Sequence, residues 1–292
     1  NGPALLLGAP WRVNGKCTNA ALLLDGGEVA AVSAKHELPN YGVFDENRVF
    51  SAGPLPQPIA CRGTKLGVLV CEDMWVEAPA AHLKAQGAEM LVVLNGSPFE
   101  TDKTRERLGL ASARVAATGL PLLYVNQVGG QDELVFDGGS FALNDAGKEV
   151  SRLKGFVPDF STVKFTREKG KLVPGSGELC PALDEPGAIY QAMMLGLRDY
   201  VNKNGFPGIL LGLSGGIDSA LSAVVAVDAL GPERVHCVMM PSPYTSQDSL
   251  DDASALAANT GMRLDNISIA PAMEAFGGML KEVFADKTKD TT

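Results

Sequence analysis

The hexapeptide Ser214-Gly215-Gly216-Ile217-Asp218-Ser219 separates an apolar run, Gly208 to Leu213, from an Ala/Val/Leu-rich stretch, Ser219 to Leu230. The run reads as a short buried strand, and the stretch reads as a helix stopped by Gly231-Pro232. Glycines in such a turn let backbone N–H groups and a helix N-terminus approach an anion. A Walker loop would need a lysine where Asp218 stands. A dinucleotide fingerprint would need GxGxxG and an acidic residue about twenty positions on, but the next strand ends in Met239-Met240. Two readings stay open. One is a tight turn that merely requires glycine. The other is a pyrophosphate loop whose serines donate to β/γ-phosphates while Asp218 serves a Mg²⁺-linked role.

A second centre of chemistry is Cys71, in "GVLVCEDMW" (67–75), where a buried strand meets a polar turn. The position exposes a thiol to a cleft, although a free cysteine also serves as a small buried hydrophobe. A Cys–His pair is hard to assemble from His36, His82 and His236, none of which has a recognisable context. Lys35, in "KHELPNYGVFDENRVF" (35–50), is a candidate cation beside the thiol, or a solvated surface lysine. "NGSPFETDKTRER" (95–107) follows a strand and opens a helix. Its polar groups suit a zwitterionic ligand, and they equally suit a helix capped by Ser97 or Thr101.

These segments need a scaffold, and the bulk numbers allow one. The 292 residues suffice for two domains, and 46% hydrophobic against 20% charged residues gives a globular composition. A net charge of −9 argues against nucleic acid as the main partner. No apolar run is long enough to span a bilayer. Five cysteines without a CxxC pair point away from zinc and toward a reducing, cytoplasmic setting.

Along the chain, short strands are expected at 4–7, 65–70, 90–95 and 122–127, with a hairpin at 19–34 around Asp25-Gly26-Gly27. Helices are expected at 77–86 and 102–118, and two further hairpins end near Phe165. The charged, Gly/Pro-rich segment 166–186 reads as a linker, so residues 1–165 and 187–292 are expected to be separate domains. Beyond it helix and strand alternate: helices 188–204, 219–230, 246–259 and 273–284, strands 209–213, 235–240 and 263–269. That alternation predicts a doubly wound parallel sheet with the glycine turn at a strand's carboxyl end. "DKTKDTT" (286–292) looks like the start of one more helix.

Two resemblances sharpen these readings. The loop 214–219 matches SGGxDS of the ATP pyrophosphatases in full, which implies cleavage of ATP between its α and β phosphates. Gly212, Leu213, Ser214, Gly215, Gly216, Ile217, Asp218 and Ser219 would then bind ATP, with Asp218 toward Mg²⁺. The Cys71 and Lys35 segments resemble the carbon–nitrogen hydrolase (nitrilase) superfamily, whose Glu–Lys–Cys triad sits in an αββα sandwich. The resemblance makes Cys71 the nucleophile, Lys35 the oxyanion stabiliser, and Glu46 a further glutamate beside the lysine. Tyr41, Ser97 and Lys103 would hold the amino-acid end of glutamine.

That superfamily's base glutamate precedes the lysine. Glu28, the one earlier glutamate here, lies in the hairpin and does not fit. With Asn1 at its head, the chain is expected to be truncated at both ends.

The combination resembles the family of glutamine-dependent NAD synthetases, and "MMPSPYTSQDSLDDASALAANTGM" (239–262) extends the likeness. It implies glutamine, deamido-NAD and ATP as substrates, Mg²⁺ as cofactor and a homo-oligomer, with no membrane partner. Two alternatives stand beside it: a stand-alone nitrilase-type amidase with a regulatory nucleotide-binding domain, and a non-catalytic subunit.

Overall fold

The computed structural model describes residues 2–285; the segment 286–292, expected to open a helix, lies outside the described residues. The chain divides into two compact units: residues up to 192 except 130–132, and residues from 193 together with 130–132.

In the first unit, β1 (Leu5–Val13), β2 (Lys16–Asp25) and β3 (Glu28–Ala34) form an antiparallel sheet. The β2–β3 turn is Gly26-Gly27, with φ of +63° and +88°. A two-residue hairpin whose twist matches its strands requires positive φ at both places, which glycine adopts without a Cβ clash. β1 runs further than the expected 4–7 because each of its nine residues finds a partner on β2.

A six-stranded sheet follows, built from β4 (Ile59–Cys61), β5 (Thr64–Val70), β6 (Met90–Asn95), β7 (Leu122–Asn126), β10 (Phe141–Leu143) and β11 (Glu149–Arg152). Their spatial order is β11-β10-β7-β6-β5-β4, with β5, β6 and β7 mutually parallel. The intervening β8 (Val128–Gln131) and β9 (Leu134–Asp137) pair as a separate hairpin. Helices α1 (Glu77–Ala85) and α2 (Lys103–Thr118) are the crossovers that parallel strands require.

β5 and β6 are apolar on both faces because both faces are covered. Ala21 and Leu23 of the small sheet pack on Ile59, Val68 and Val70. On the far side Leu69, Leu91 and Val93 pack against Ala80, Leu83, Ala111 and Val115 of the helices. The layers among the described residues are thus helix, sheet, sheet. The outer face of the small sheet stays open, with Leu5, Leu7 and Val32 exposed. A second helical layer of the expected αββα sandwich is not among the described residues.

The segment 166–186 is more than a connection. It contains the hairpin β12 (Phe165–Glu168) and β13 (Lys171–Pro174), whose Leu172 is buried against Met90 and Val92. Charges and glycines mask this hairpin in the sequence because few apolar residues dock it, chiefly Leu172 with Phe165 beside it.

α3 (Glu185–Lys203) leads into the second unit. There β14 (Ile209–Gly212), β15 (Val235–Met239) and β16 (Arg263–Asn266) form a parallel sheet in sequential order. Their crossovers are α4 (Ile217–Leu230) and α5 (Gln247–Thr260), and α6 (Ala270–Leu280) follows β16. Sequential right-handed crossovers put both helices on one face, where Ala223, Ala226, Ala253 and Ala257 meet Val235, Cys237 and Met239. The opposite face carries Leu210, 70% exposed.

Leu91 and Leu210 are both strand leucines, but only Leu91 is fully enclosed. Leu91→Ala should destabilise its unit by about 2–5 kcal/mol, read as a lower urea midpoint with an unchanged slope. Leu210→Ala should stay within about 0.5 kcal/mol.

Candidate functional site

Cys71 begins a single 3-10 turn, Cys71–Met74, directly after β5. Its φ of +48° lies in the left-handed region, a conformation that costs a non-glycine residue about 1–3 kcal/mol and occurs mostly where function holds it in place. Reversing the chain at the strand's carboxyl end turns the thiol out of the ladder, half-buried.

Lys35 lies just past β3 and is 1% exposed. Its backbone N–H donates to the Asn19 carbonyl at 2.8 Å, and its own carbonyl accepts from Gly53 N–H at 2.7 Å. The ammonium donates to both Glu46 carboxylate oxygens, at 2.8 and 2.9 Å. Asn19 Nδ2 donates to the same carboxylate at 3.5 Å. A buried ammonium without such a partner would be strongly destabilising, so Glu46 keeps the cation charged in place.

The structure therefore brings Cys71, Lys35 and Glu46 into one site. Burial pushes the Cys71 thiol up; the Lys35 cation pulls it down, and Glu72 and Glu46 add to the rise. Gly96 N–H also hydrogen-bonds the sulfur and favours the thiolate. With burial the largest influence, the resting group is a neutral thiol beside a cation, an arrangement that suits a base-activated nucleophile and a developing oxyanion. Glu28 is exposed at the turn between β2 and β3 and is not such a base.

A residue that sequence reading passed over ties the two halves of this site together. Asp73 is 1% exposed. Its Oδ1 accepts from the backbone N–H of His36 at 3.0 Å and of Glu37 at 2.8 Å, and its Oδ2 accepts from Val70 N–H at 3.1 Å. Burial raises its pKa while these three donors oppose the rise. One carboxylate thus fixes the strand end that bears Lys35 to the turn that bears Cys71. The signal available in the sequence was an acidic residue two places after the cysteine.

The three expected glutamine-binding residues have different roles in the structure. Tyr41 is 56% exposed and donates its hydroxyl to the Glu72 carboxylate at 3.0 Å. Lys103 lies 4.4 Å from the Trp75 ring centroid and pairs with Glu106 at 3.1 Å. Lys103 and Trp75 thus bring the helix opening of α2 to the nucleophile turn. Ser97 is buried, and its hydroxyl accepts from Arg107 Nε at 3.0 Å. Neither Ser97 nor Thr101 caps α2, whose N-cap is Asp102. Beside Ser97 the side-chain amide of Asn95 is buried with no hydrogen-bond partner among the described residues.

The second unit carries the glycine loop at the carboxyl end of β14. Gly215 has φ of +79°, and a Cβ there would lie 2.4 Å from the Ser249 carbonyl of α5. Only glycine lets the loop pass so close to that helix. The serines cross-link the turn: Ser214 and Ser219 hydroxyls lie 3.0 Å apart, and Ser219 Oγ donates to the Gly216 carbonyl at 3.0 Å. Gly216 is the N-cap of α4, and Ile217 and Asp218 are exposed in its first turn. Gly212 ends the strand, whereas Leu213 is 2% exposed and packs in the core, so only its backbone borders the loop. The remaining expected residues form one turn at the N-terminus of α4.

His82 and His236 lie on α1 and β15 as expected; His236 Nε2 bonds Asp265 at 2.8 Å. Cys180 and Cys237 are buried, and Cys17 and Cys61 are half-buried. No helix among the described residues is long and apolar enough to cross a membrane.

Comparison with known proteins finds two families in this order. Residues 1–171 match the carbon–nitrogen hydrolase family and residues 189–291 match NAD synthase. The chain is similar to the glutamine-dependent NAD(+) synthetase of Rhodobacter capsulatus, with 47% identity over 100% of this chain and 53% of that one. It is 39% identical to its Synechocystis counterpart, over 93% of this chain and 50% of the relative. The solved structure of the Acinetobacter baumannii glutamine-dependent NAD+ synthetase with adenosine diphosphate superposes with a TM-score of 0.93 at 40% identity, covering 98% of this chain and 54% of that one. The chain spans about half the length of the curated relatives it matches.

Lys35→Met removes the cation that favours the thiolate. The pH midpoint of Cys71 alkylation by iodoacetamide should therefore move upward, and the rate at pH 8 should fall several-fold.

Proposed function

The chain belongs to the carbon–nitrogen hydrolase family, and on that premise we propose that it couples glutamine hydrolysis to the ATP-dependent amidation of deamido-NAD. Residues 1–165 form the glutaminase and residues 187–292 belong to the synthetase, with 166–186 between them. The observation that carries the reading is the presence, in one chain, of the Cys71–Lys35–Glu46 cluster and the SGGxDS loop at a parallel strand end. A stand-alone amidase would use such a loop only to bind a regulatory nucleotide, and would hydrolyse its amide without ATP.

In the first step the Cys71 sulfur attacks the carboxamide carbon of glutamine. The carbonyl oxygen becomes an oxyanion, which the Lys35 ammonium stabilises. The thiol proton passes to a general base and then to the leaving nitrogen, so ammonia departs and a thioester remains. Water cleaves the thioester, giving glutamate and the free thiol. Tyr41, Ser97 and Lys103 belong to the glutamine pocket: Lys103 offers a charge to the α-carboxylate, Tyr41 borders the mouth, and Ser97 shapes the wall.

In the second step the loop 212–219 holds the β/γ-phosphates of ATP through backbone N–H groups and the Ser214 and Ser219 hydroxyls. The carboxylate of deamido-NAD attacks the α-phosphate, pyrophosphate leaves, and ammonia displaces AMP from the acyl adenylate. Asp218 is exposed in the first turn of α4, and no cluster of three or more metal-ligating side chains occurs among the described residues. Asp218 is the residue that would hold a Mg²⁺ ion there, since one carboxylate is a usual protein contribution to such a site. When bound, the ion would supply neutralisation of the phosphate charge. The enzyme works in the cytoplasm, as a homo-oligomer.

The test uses the full-length protein with ATP, Mg²⁺ and deamido-NAD, comparing wild type with Cys71→Ala and glutamine with ammonium as donor. Cys71→Ala should abolish NAD formation from glutamine and leave formation from ammonium within about twofold. An enzyme that forms NAD from neither donor, yet hydrolyses an amide without ATP, would be the amidase instead.

A further inference from the structure

The helix α2 presents one buried stripe: Arg107, Ala111, Arg114, Val115 and Thr118. Two members of that stripe are arginines seven residues apart, which puts them on the same face about 10 Å from one another. Arginine is rarely buried without a reason, and here Arg107 is 2% and Arg114 is 6% exposed. Their partners lie in different parts of the site.

Arg107 binds the segment after β6. Its Nε donates to Ser97 Oγ at 3.0 Å, and its Nη2 donates to the carbonyls of Ser97 at 2.8 Å and Pro98 at 2.6 Å. Its Nη1 donates to both oxygens of Asp137, at 2.7 and 2.8 Å, so the buried charge is neutralised. Arg114 binds the turn that carries the nucleophile. Its Nε donates to the Met74 carbonyl at 2.8 Å and its Nη2 to the Trp75 carbonyl at 3.0 Å. Glu77 lies 3.7 Å from Arg114 Nη1, but its side chain is 87% exposed and gives a weak pairing. The carbonyls are therefore the main partners of Arg114, and without them a buried charge would be stranded.

We propose that Arg107 and Arg114 are separate positioning residues: Arg107 sets the substrate loop and Arg114 sets the nucleophile turn. The inference rests on the reading of Cys71 as a glutaminase nucleophile, and it divides control of that site between binding and reactivity. A planar fork of five donors is what each place uses. A lysine keeps the charge but has one nitrogen, so it cannot span Ser97, Pro98 and Asp137 together, nor two successive carbonyls with the same aim.

The experiment takes Arg107→Lys and Arg114→Lys in the full-length protein. It measures KM and kcat for glutamine hydrolysis and, without substrate, the iodoacetamide rate at Cys71 against pH, located by peptide mass spectrometry. Arg107→Lys should raise KM about tenfold and leave alkylation within about twofold. Arg114→Lys should change the alkylation rate and lower kcat about fivefold or more, with KM within about twofold. Asp137→Asn, which weakens the anchor of Arg107 and touches no partner of Arg114, should reproduce the Arg107→Lys pattern. The proposal is overturned if both arginine variants change KM and alkylation in the same proportion, or if neither changes either. A wild type that does not hydrolyse glutamine removes the glutaminase reading, whereas the alkylation contrast between the two variants still decides whether Arg114 alone controls the thiol.

Discussion

A lysine ammonium enclosed at 1% exposure is the constraint around which the first unit is organised. Removing such a charge from water costs several kcal/mol unless a partner and further hydrogen bonds replace the lost solvent. Glu46 supplies the partner through two short bonds. The strand that delivers Lys35 must then end at one place, and Asp73 fixes that end to the start of the Cys71 turn through three backbone donors. The small sheet and the large sheet are pressed together by Ala21, Leu23, Val68 and Val70, which sets the distance between cation and thiol. Cys71 accepts an unfavourable φ because the surrounding bonds leave it no alternative.

The second unit solves a different electrostatic problem by a different route. With a net charge of −9 over the chain, an anionic ligand gains nothing from the protein's overall field. For such a ligand the proposed cradle after β14 would rely on oriented backbone N–H groups and two cross-linked serines. Such dipoles are fixed before the ligand arrives, so little reorganisation is needed on binding. The approach of Gly215 to the Ser249 carbonyl explains why the turn needs glycine, a question that the sequence raised and left open between a phosphate cradle and a tight turn. The close approach accounts for the glycine, and Ser214, Gly216 and Asp218 are exposed.

Much of this was legible in the residues. Continuous apolar runs marked β5 and β6, which are buried on two faces, and β7 and β15 were marked by apolar residues on the buried face. Gly-Gly and Gly-Pro punctuation marked the turns, since few residues adopt those backbone angles. The pairing of Cys71 with Lys35 came from resemblance, not from spacing, because the 35 intervening positions carry no local geometry. Asp73, Arg107 and Arg114 were illegible for a related reason. A charged residue in a helix or turn reads as surface, and only the tertiary structure reveals that backbone carbonyls and N–H groups solvate it. The hairpin at 165–174 escaped notice because few apolar residues, chiefly Leu172 and Phe165, dock it. The open face of the small sheet could not be foreseen, as its leucines and valines look the same whether covered or bare.

The most direct test of the account is to catch the covalent state. Wild-type full-length protein mixed with glutamine is quenched in acid within the first turnover, digested, and its cysteine peptides are weighed. The account predicts a glutamyl thioester on the peptide that contains Cys71, and unmodified peptides for Cys17, Cys61, Cys180 and Cys237. A thioester on another cysteine, or release of ammonia with no adduct on Cys71 at any quench time, would contradict it.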